Sequence, residues 1–207
     1  MADSLPLARE KPEPVFYEET WPSLLKKKGH EVLQICIGGA TSNDLLRQVS
    51  YHKNFLPDVV IVQVGIVDCA PRHFTQFEIL LLRKIPFFGK IALRFFNKPY
   101  IRKIRQISYV SPDRFRQNLI DIQTNFNGIK MLFIGIIPAD GKYEKILPGI
   151  NKSINKYNQI LIELFGDKFI DMSCLPENSI MSDFHHLNKV GHKALVEKII
   201  EKVDILS

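Results

Sequence analysis

The stretch Val59-Val60-Ile61-Val62-Gln63-Val64-Gly65-Ile66-Val67-Asp68 joins an apolar run directly to a glycine turn. A nearly continuous run of β-branched residues is typical of a strand that is buried on both faces of a parallel sheet. The run from Val32 to Ile37 has the same character and leads into Gly38-Gly39. We expect strands at Val32 to Ile37, Val59 to Val64, Met131 to Ile137 and Phe169 to Met172.

Segments with helical periodicity separate these apolar runs. They cover roughly Glu18 to Lys28, Ser42 to Tyr51, Pro112 to Asn125, Ile150 to Phe165 and Lys189 to Val203. Alternation of strands and helices predicts a three-layer α/β/α fold, flavodoxin-like, with a parallel sheet of about five strands. Only Met1 and Ala2 precede Asp3, so the first strand of this sheet is expected to be missing or cut short at the N-terminus.

The composition is that of an ordinary globular protein. A length of 207 residues predicts one domain spanning residues 1–207. With 45% hydrophobic and 24% charged residues, we expect the chain to fold and not to be disordered. Charged residues and three prolines fill positions 1–14, where a secretion signal would be apolar, so the expected compartment is the cytoplasm. Three cysteines without Cys-x-x-Cys spacing predict neither a disulfide framework nor a zinc site.

A basic and aromatic insertion is predicted at about residues 72–110. Residues 72–105 hold nine Lys or Arg against one acid, Glu78, which gives 9 − 1 = +8 in a chain whose formal net charge is +6. One interpretation is a solvated helical face with its aromatic residues packed downwards. Others are a substrate-facing lid or peripheral contact of residues 83–105 with a membrane surface. Nucleic acid is not expected as a partner, because no binding motif accompanies the charge.

Four short motifs carry groups that could do chemistry. In Asp183-Phe184-His185-His186, the spacing lets the carboxylate approach the ring of His186 and orient it. A structural histidine or a metal ligand is the plainer alternative for that motif. The other three are Asp3-Ser4, the turn Gly38-Gly39-Ala40-Thr41-Ser42-Asn43-Asp44, and Gly65-Ile66-Val67-Asp68. Each also has a plain structural interpretation: a solvated serine, a tight strand-to-helix connection, and a turn with Asp68 as a helix cap.

In their order along the chain, these motifs resemble the four sequence blocks of the SGNH (GDSL-type) hydrolase family. The resemblance implies a serine esterase in which Ser4 is the nucleophile, His186 the general base and acid, and Asp183 the orienting carboxylate. It also implies that the backbone N–H groups of Ser4 and Gly39 form the oxyanion hole, without a cofactor or a metal. The expected substrate is an O-acyl ester, with a carbohydrate O-acetyl group first, and acyl transfer is the same chemistry with another acceptor.

The sequence departs from the family pattern at two positions. Ala2 stands where the first block has glycine, and Val67 stands where the third block has the asparagine that donates to the oxyanion. Loss of one such donor costs about 3 to 4 kcal/mol of transition-state stabilisation in other hydrolases. Asn43, or a main-chain amide near Cys69, is a possible substitute donor. The alternative function is therefore a weakly active or inactive protein of this fold that binds glycan or a membrane surface.

Overall fold

A computed structural model describes residues 1–85 and 99–205. Three parallel strands form its sheet: β1 (Val59–Gln63), β2 (Lys130–Ile134) and β3 (Phe169–Ile170), in that spatial order. Their register pairs Val60 with Met131, and Ile134 with Ile170. The predicted parallel α/β sheet is confirmed, with strands shorter than the apolar runs that predicted them.

The first three residues occupy the place of the first strand. Ala2 forms parallel bridges to Gln63 on one side and to Cys36 on the other. Its N–H donates to the Ile35 carbonyl (2.9 Å), and its carbonyl accepts from the Ile37 N–H (3.1 Å). Residues 1–3 thus lie between residues 35–37 and β1, at the position where the first strand of the sheet was expected.

The prediction of a regular strand from Val32 to Ile37 is wrong. Only Cys36 of this run forms a ladder bridge. The neighbouring segment, residues 1–3, is too short to pair with the rest of the run. Among the described residues, three regular strands and two short paired segments therefore stand where about five strands were expected. Gly38 and Gly39 still follow this segment at the edge of the sheet.

Nine α-helices occur in the described residues. They are α1 (Trp21–Lys27), α2 (Ser42–His52), α3 (Ile66–Cys69), α4 (Gln76–Arg83), α5 (Pro99–Arg105), α6 (Pro112–Asn125), α7 (Gly141–Ile146), α8 (Ile150–Phe165) and α9 (Lys189–Ile205). Helix α6 begins where predicted, because the Ser111 hydroxyl accepts from the Arg114 N–H and proline fits the first turn. Helix α7 was not predicted from the sequence.

Alternating residues of β2 separate the two hydrophobic layers. Met131 and Phe133 pack in a core cluster with buried residues of α2, α6 and α8. Leu132 and Ile134 pack in a second cluster with buried residues of α1 and α9. Since successive side chains of a strand point to opposite faces, helices cover both faces of the sheet, and the three-layer arrangement is confirmed.

The two ends of the basic insertion, near Arg72 and Ile107, lie next to each other. The Arg72 N–H donates to the Ile107 carbonyl (2.8 Å), so the two ends lie side by side. Helices α4 and α5 belong to it, while its centre, residues 86–98 with Lys90, Arg94 and Lys98, lies outside the described residues. Across the described residues, no helix combines the length and the apolar character needed to cross a bilayer.

Candidate active site

The carboxyl ends of the central strands bring the predicted motifs to one edge of the sheet. Ala2 is level with Cys36 and Gln63. In parallel pairing Ser4 is therefore level with Gly38 and Gly65, two residues further along each segment. Ligands and reacting groups of open α/β sheets gather at this edge.

The structure brings Ser4, His186 and Asp183 together from opposite ends of the chain. The Ser4 Oγ lies 3.4 Å from the His186 Nε2, and the His186 Nδ1 lies 2.6 Å from the Asp183 Oδ2. The other carboxylate oxygen, Oδ1, accepts the backbone N–H groups of His185 (3.2 Å) and His186 (3.1 Å). Phe184 adopts a positive φ of 69°, which closes this tight turn and aims the imidazole at Ser4.

The protonation states favour a neutral imidazole beside an ionised carboxylate. Burial lowers the pKa of His186 below its ordinary value, against the opposing effect of the hydrogen bond that His186 donates to Asp183. Burial raises the pKa of Asp183, but the hydrogen bond with His186 and the charge of His185 outweigh it and hold the pKa well below its usual range. With the proton on Nδ1, the Nε2 lone pair of His186 faces the Ser4 hydroxyl, as a general base requires.

Two backbone N–H groups beside the serine are available to an oxyanion. Within the described residues, neither the Ser4 N–H nor the Gly39 N–H donates a hydrogen bond. Gly39 has a φ of +70°, and a Cβ placed there would meet no atom within 4 Å, so its backbone borders open space. Ala2, in place of the family's glycine, has no positive φ, and alanine therefore fits without strain.

The chain matches no protein-family model and no curated protein. Solved structures do match it over nearly its whole length. A lipase/acylhydrolase from Enterococcus faecalis is 17% identical, with a TM-score of 0.64 over 98% of this chain and 92% of that one. A lipolytic protein of the G-D-S-L family from Veillonella parvula is 11% identical, with a TM-score of 0.60 over 97% and 93%. The chain has the SGNH hydrolase fold.

A further structure of this fold is an acetylxylan esterase, Axe2 from Geobacillus stearothermophilus. It is 14% identical, with a TM-score of 0.60 over 98% of this chain and 91% of that chain. Identities this low carry the SGNH fold alone. The chemistry of this chain therefore has to be argued from its own side chains.

The turn that contains Gly65 is built around close packing. Gly65 has a φ of +133°, and a Cβ there would lie 2.6 Å from the Ile136 Cδ1. Asp68, three residues later, accepts the Ser42 N–H (2.8 Å) and the Ser42 hydroxyl (2.6 Å) through Oδ1. Asp68 thus caps α2 and ties this turn to the Gly39 turn. Burial raises its pKa to about 6, against these hydrogen bonds.

The third oxyanion donor of the SGNH pattern has no replacement that the structure identifies. Val67 is half-buried against the core and offers no side-chain donor. The Asn43 Oδ1 accepts from the Arg114 Nε (3.3 Å) and the Asn118 Nδ2 (2.9 Å), which engages its carboxamide with α6. No hydrogen bond among the described residues joins Asn43 to Ser4, so its role as substitute donor stays a prediction.

Sequence reasoning missed the contribution of two arginines to this candidate site. The Arg9 guanidinium donates to the Ser4 carbonyl (2.7 Å) and so helps to fix the turn that carries the nucleophile. The Arg72 Nη2 lies 3.5 Å from the Val67 carbonyl, beside the position of the absent asparagine. The only sequence signal for Arg72 was its place five residues after Val67.

Two other kinds of chemistry are a metal site at Asp183, His185 and His186 and a nucleophilic thiol at Cys69. Ligand atoms of Asp183, His185 and His186 lie within 4.8 Å of one another, but both histidine Nδ1 atoms are hydrogen-bonded to Asp183. The expectation of no metal stays a prediction. Burial raises the pKa of the Cys69 thiol, which disfavours the thiolate that a nucleophile needs.

Proposed function

We propose that this chain is a serine esterase that removes, or transfers, an O-acetyl group of a carbohydrate. The observation that carries the proposal is the continuous contact from the Ser4 Oγ to the His186 Nε2 and from the His186 Nδ1 to Asp183. A separation of 3.4 Å is longer than an ideal hydrogen bond, but catalytic contacts in sites without substrate are often loose.

The reaction begins with attack of the Ser4 hydroxyl on the acyl carbon. His186 takes the hydroxyl proton at Nε2, and Asp183 stabilises the resulting imidazolium through Nδ1. The carbonyl oxygen gains the negative charge and accepts the N–H groups of Ser4 and Gly39. Collapse of this intermediate breaks the bond to the alcohol, which leaves with the proton from His186, and the acetyl group stays on Ser4.

The second half of the reaction releases the acetyl group. His186, again neutral, takes a proton from water, and the hydroxide attacks the acyl carbon. The intermediate expels the Ser4 oxygen, which recovers its proton from His186, and acetic acid leaves and loses its proton to water as acetate. If a sugar hydroxyl replaces water, the same steps transfer the acetyl group to the sugar.

The choice of a carbohydrate acetyl ester rests on analogy. Axe2, which shares the fold, is an acetylxylan esterase. A rival proposal is a non-catalytic protein that binds glycan or a membrane surface, favoured by valine at position 67 and by exposed apolar side chains at the insertion: Phe77, Leu80, Leu81, Ile85, Tyr100 and Ile104.

Acetate release from acetylated xylan oligosaccharides and from 4-nitrophenyl acetate tests the proposal. We expect turnover by the natural chain and a loss of at least about 10³-fold in Ser4→Ala and in His186→Ala. Ser173→Ala is a matched control, because Ser173 is exposed and its hydroxyl donates a hydrogen bond to Asp171 and not to a residue of the candidate site. Equal rates in all four proteins would reject the esterase, and glycan binding unaffected by Ser4→Ala would favour the rival.

A further inference from the structure

Two arginines of the insertion lack a neutralising carboxylate. The single acid of residues 72–105, Glu78, is bound on both oxygens by Arg105, at 2.7 and 3.2 Å. In the described ranges, no carboxylate forms an ion pair with Arg72 or Arg102. The sequence of residues 86–98 contains no Asp or Glu, so it adds no side-chain carboxylate. Within the described residues, neither charge is neutralised by a carboxylate, so both can bind an anionic partner.

Contacts with neutral groups hold both guanidinium groups in place. The Arg102 Nε donates to the His73 Nδ1 (3.2 Å), and the Arg72 Cζ lies 4.4 Å from the centre of the Tyr109 ring. The Arg72 Nε is buried and has no acceptor among the described residues. Burial, and after it the charge of Arg72, lowers the pKa of Arg102, as expected for two nearby cations. Holding two like charges together is unfavourable until an anion binds between them.

Tyr143 connects this pair of arginines to the catalytic residues. Its ring stacks on His185 with the centres 5.9 Å apart, and the His185 ring lies 4.1 Å from that of His186. Burial raises the pKa of Tyr143 to about 12, so its hydroxyl keeps its proton and can donate a hydrogen bond.

The Tyr143 hydroxyl is near enough to both groups of charges for each to act on its pKa. It experiences the charges of Arg72 and Arg102 as well as that of Asp183. Arg72 also contacts the carbonyl of Val67 in the turn beside the nucleophile. Arg72 is thus beside the active site, and the hydrogen bond from Arg102 to His73, the residue after Arg72, keeps Arg102 near it.

We propose that Arg72 and Arg102 form a subsite for an anionic group, a carboxylate or a phosphate, on the alcohol part of the ester. The inference rests on the proposed esterase function and narrows its substrate to acetyl esters of anionic alcohols. Guanidinium groups bind both anions through paired, charge-assisted hydrogen bonds. An acetyl group is too small to reach beyond the nucleophile, so the anion belongs to the alcohol.

A matched pair of esters tests the subsite. 4-Acetoxybenzoate and its methyl ester share the reacting acetyl group and differ in one negative charge, and 4-acetoxyphenyl phosphate provides the phosphate arm. The values of kcat and KM are measured for the natural chain, Arg72→Gln and Arg102→Gln. Lys103→Gln is the control, because it removes the same charge from the same helix at an exposed position.

We expect the natural chain to prefer at least one of the anionic esters over the neutral one. Each arginine variant should lose about 10- to 100-fold in kcat/KM on that ester, mainly through KM, and this loss should be clearly larger than the loss on the neutral ester. Lys103→Gln should keep the preference, and Arg102→Lys should restore part of it. An equal fall on charged and neutral esters, or no preference in the natural chain, would overturn the subsite.

Binding of 4-hydroxybenzoate and of 4-hydroxyphenyl phosphate, measured by calorimetry, separates this inference from the proposed function. Neither compound has an ester to cleave. If the chain hydrolyses no ester yet binds one of them more weakly after Arg102→Gln, the esterase proposal fails and the anion subsite stands. If it hydrolyses neutral esters and binds neither anion, the subsite fails and the esterase stands.

Discussion

Replacement of Asp183 by asparagine should abolish most of the activity without disturbing the turn. The Asp183 Oδ1 accepts two backbone N–H groups, and the asparagine oxygen can do the same. The Oδ2, which lies 2.6 Å from the His186 Nδ1, becomes an NH₂ group that can only donate. His186 must then place its proton on Nε2, where it faces the Ser4 hydroxyl and cannot accept the serine proton.

The same change lowers kcat by about 10⁴ in serine proteases, which is about 5 kcal/mol of transition-state stabilisation. We expect a loss of this order on 4-nitrophenyl acetate, with KM nearly unchanged and the unfolding temperature within a few degrees. Asp171→Asn is the matched control, since Asp171 forms a similar turn with the Ser173 N–H and hydroxyl away from the site. If the Asp183→Asn variant keeps more than a tenth of the natural activity, the assigned tautomer of His186 is refuted.

Three further predictions address the base, the oxyanion hole and the glycine turn. Because the pKa of His186 is lowered, kcat/KM should rise with pH to a plateau with a midpoint below 6.5, and a midpoint above 7 in a pH–rate profile would contradict that direction. Val67→Asn should raise kcat by about 10-fold or more by restoring a donor, while Val67→Ala should not, and equal rates would show that position 67 does not face the oxyanion. Gly65→Ala should destabilise the fold by about 2 to 4 kcal/mol in urea unfolding, because its Cβ would lie 2.6 Å from Ile136 Cδ1 at a φ of +133°. Gly141→Ala, with no atom within 4 Å of the added Cβ, should be close to neutral, and similar losses in the two variants would remove the packing argument.

The sequence predicted best those helices whose periodicity and capping residues lie within the helix itself. Helices Pro112–Asn125 and Ile150–Phe165 lie where their periodicity and caps predicted them. The resemblance carried by the order of the motifs implied that Ser4 would lie beside His186, and the structure places the two side chains in contact. The strand predicted from Val32 to Ile37 was wrong, because strand pairing depends on the length of the neighbouring segment, which the residues of this run do not reveal.

The side chains that adjust the site were harder to find from sequence. Arg72 and Arg102 are 30 positions apart, and the bridge between Arg72 and Ile107 brings the helix that carries Arg102 back towards Arg72. Asn43 follows the Gly39 turn, and its side-chain oxygen accepts hydrogen bonds from Arg114 and Asn118 of α6, partners that its own sequence neighbours do not reveal. Such choices of partner depend on packing between distant elements, which no local pattern specifies.

The central claim is that His186 activates the Ser4 hydroxyl as a nucleophile. Reaction of the natural chain with a fluorophosphonate, followed by mass spectrometry of its peptides, measures this directly. The account predicts one covalent adduct, located on Ser4, which is absent in Ser4→Ala and forms far more slowly in His186→Ala. No adduct, or one that forms on Ser4 equally fast without His186, would contradict it.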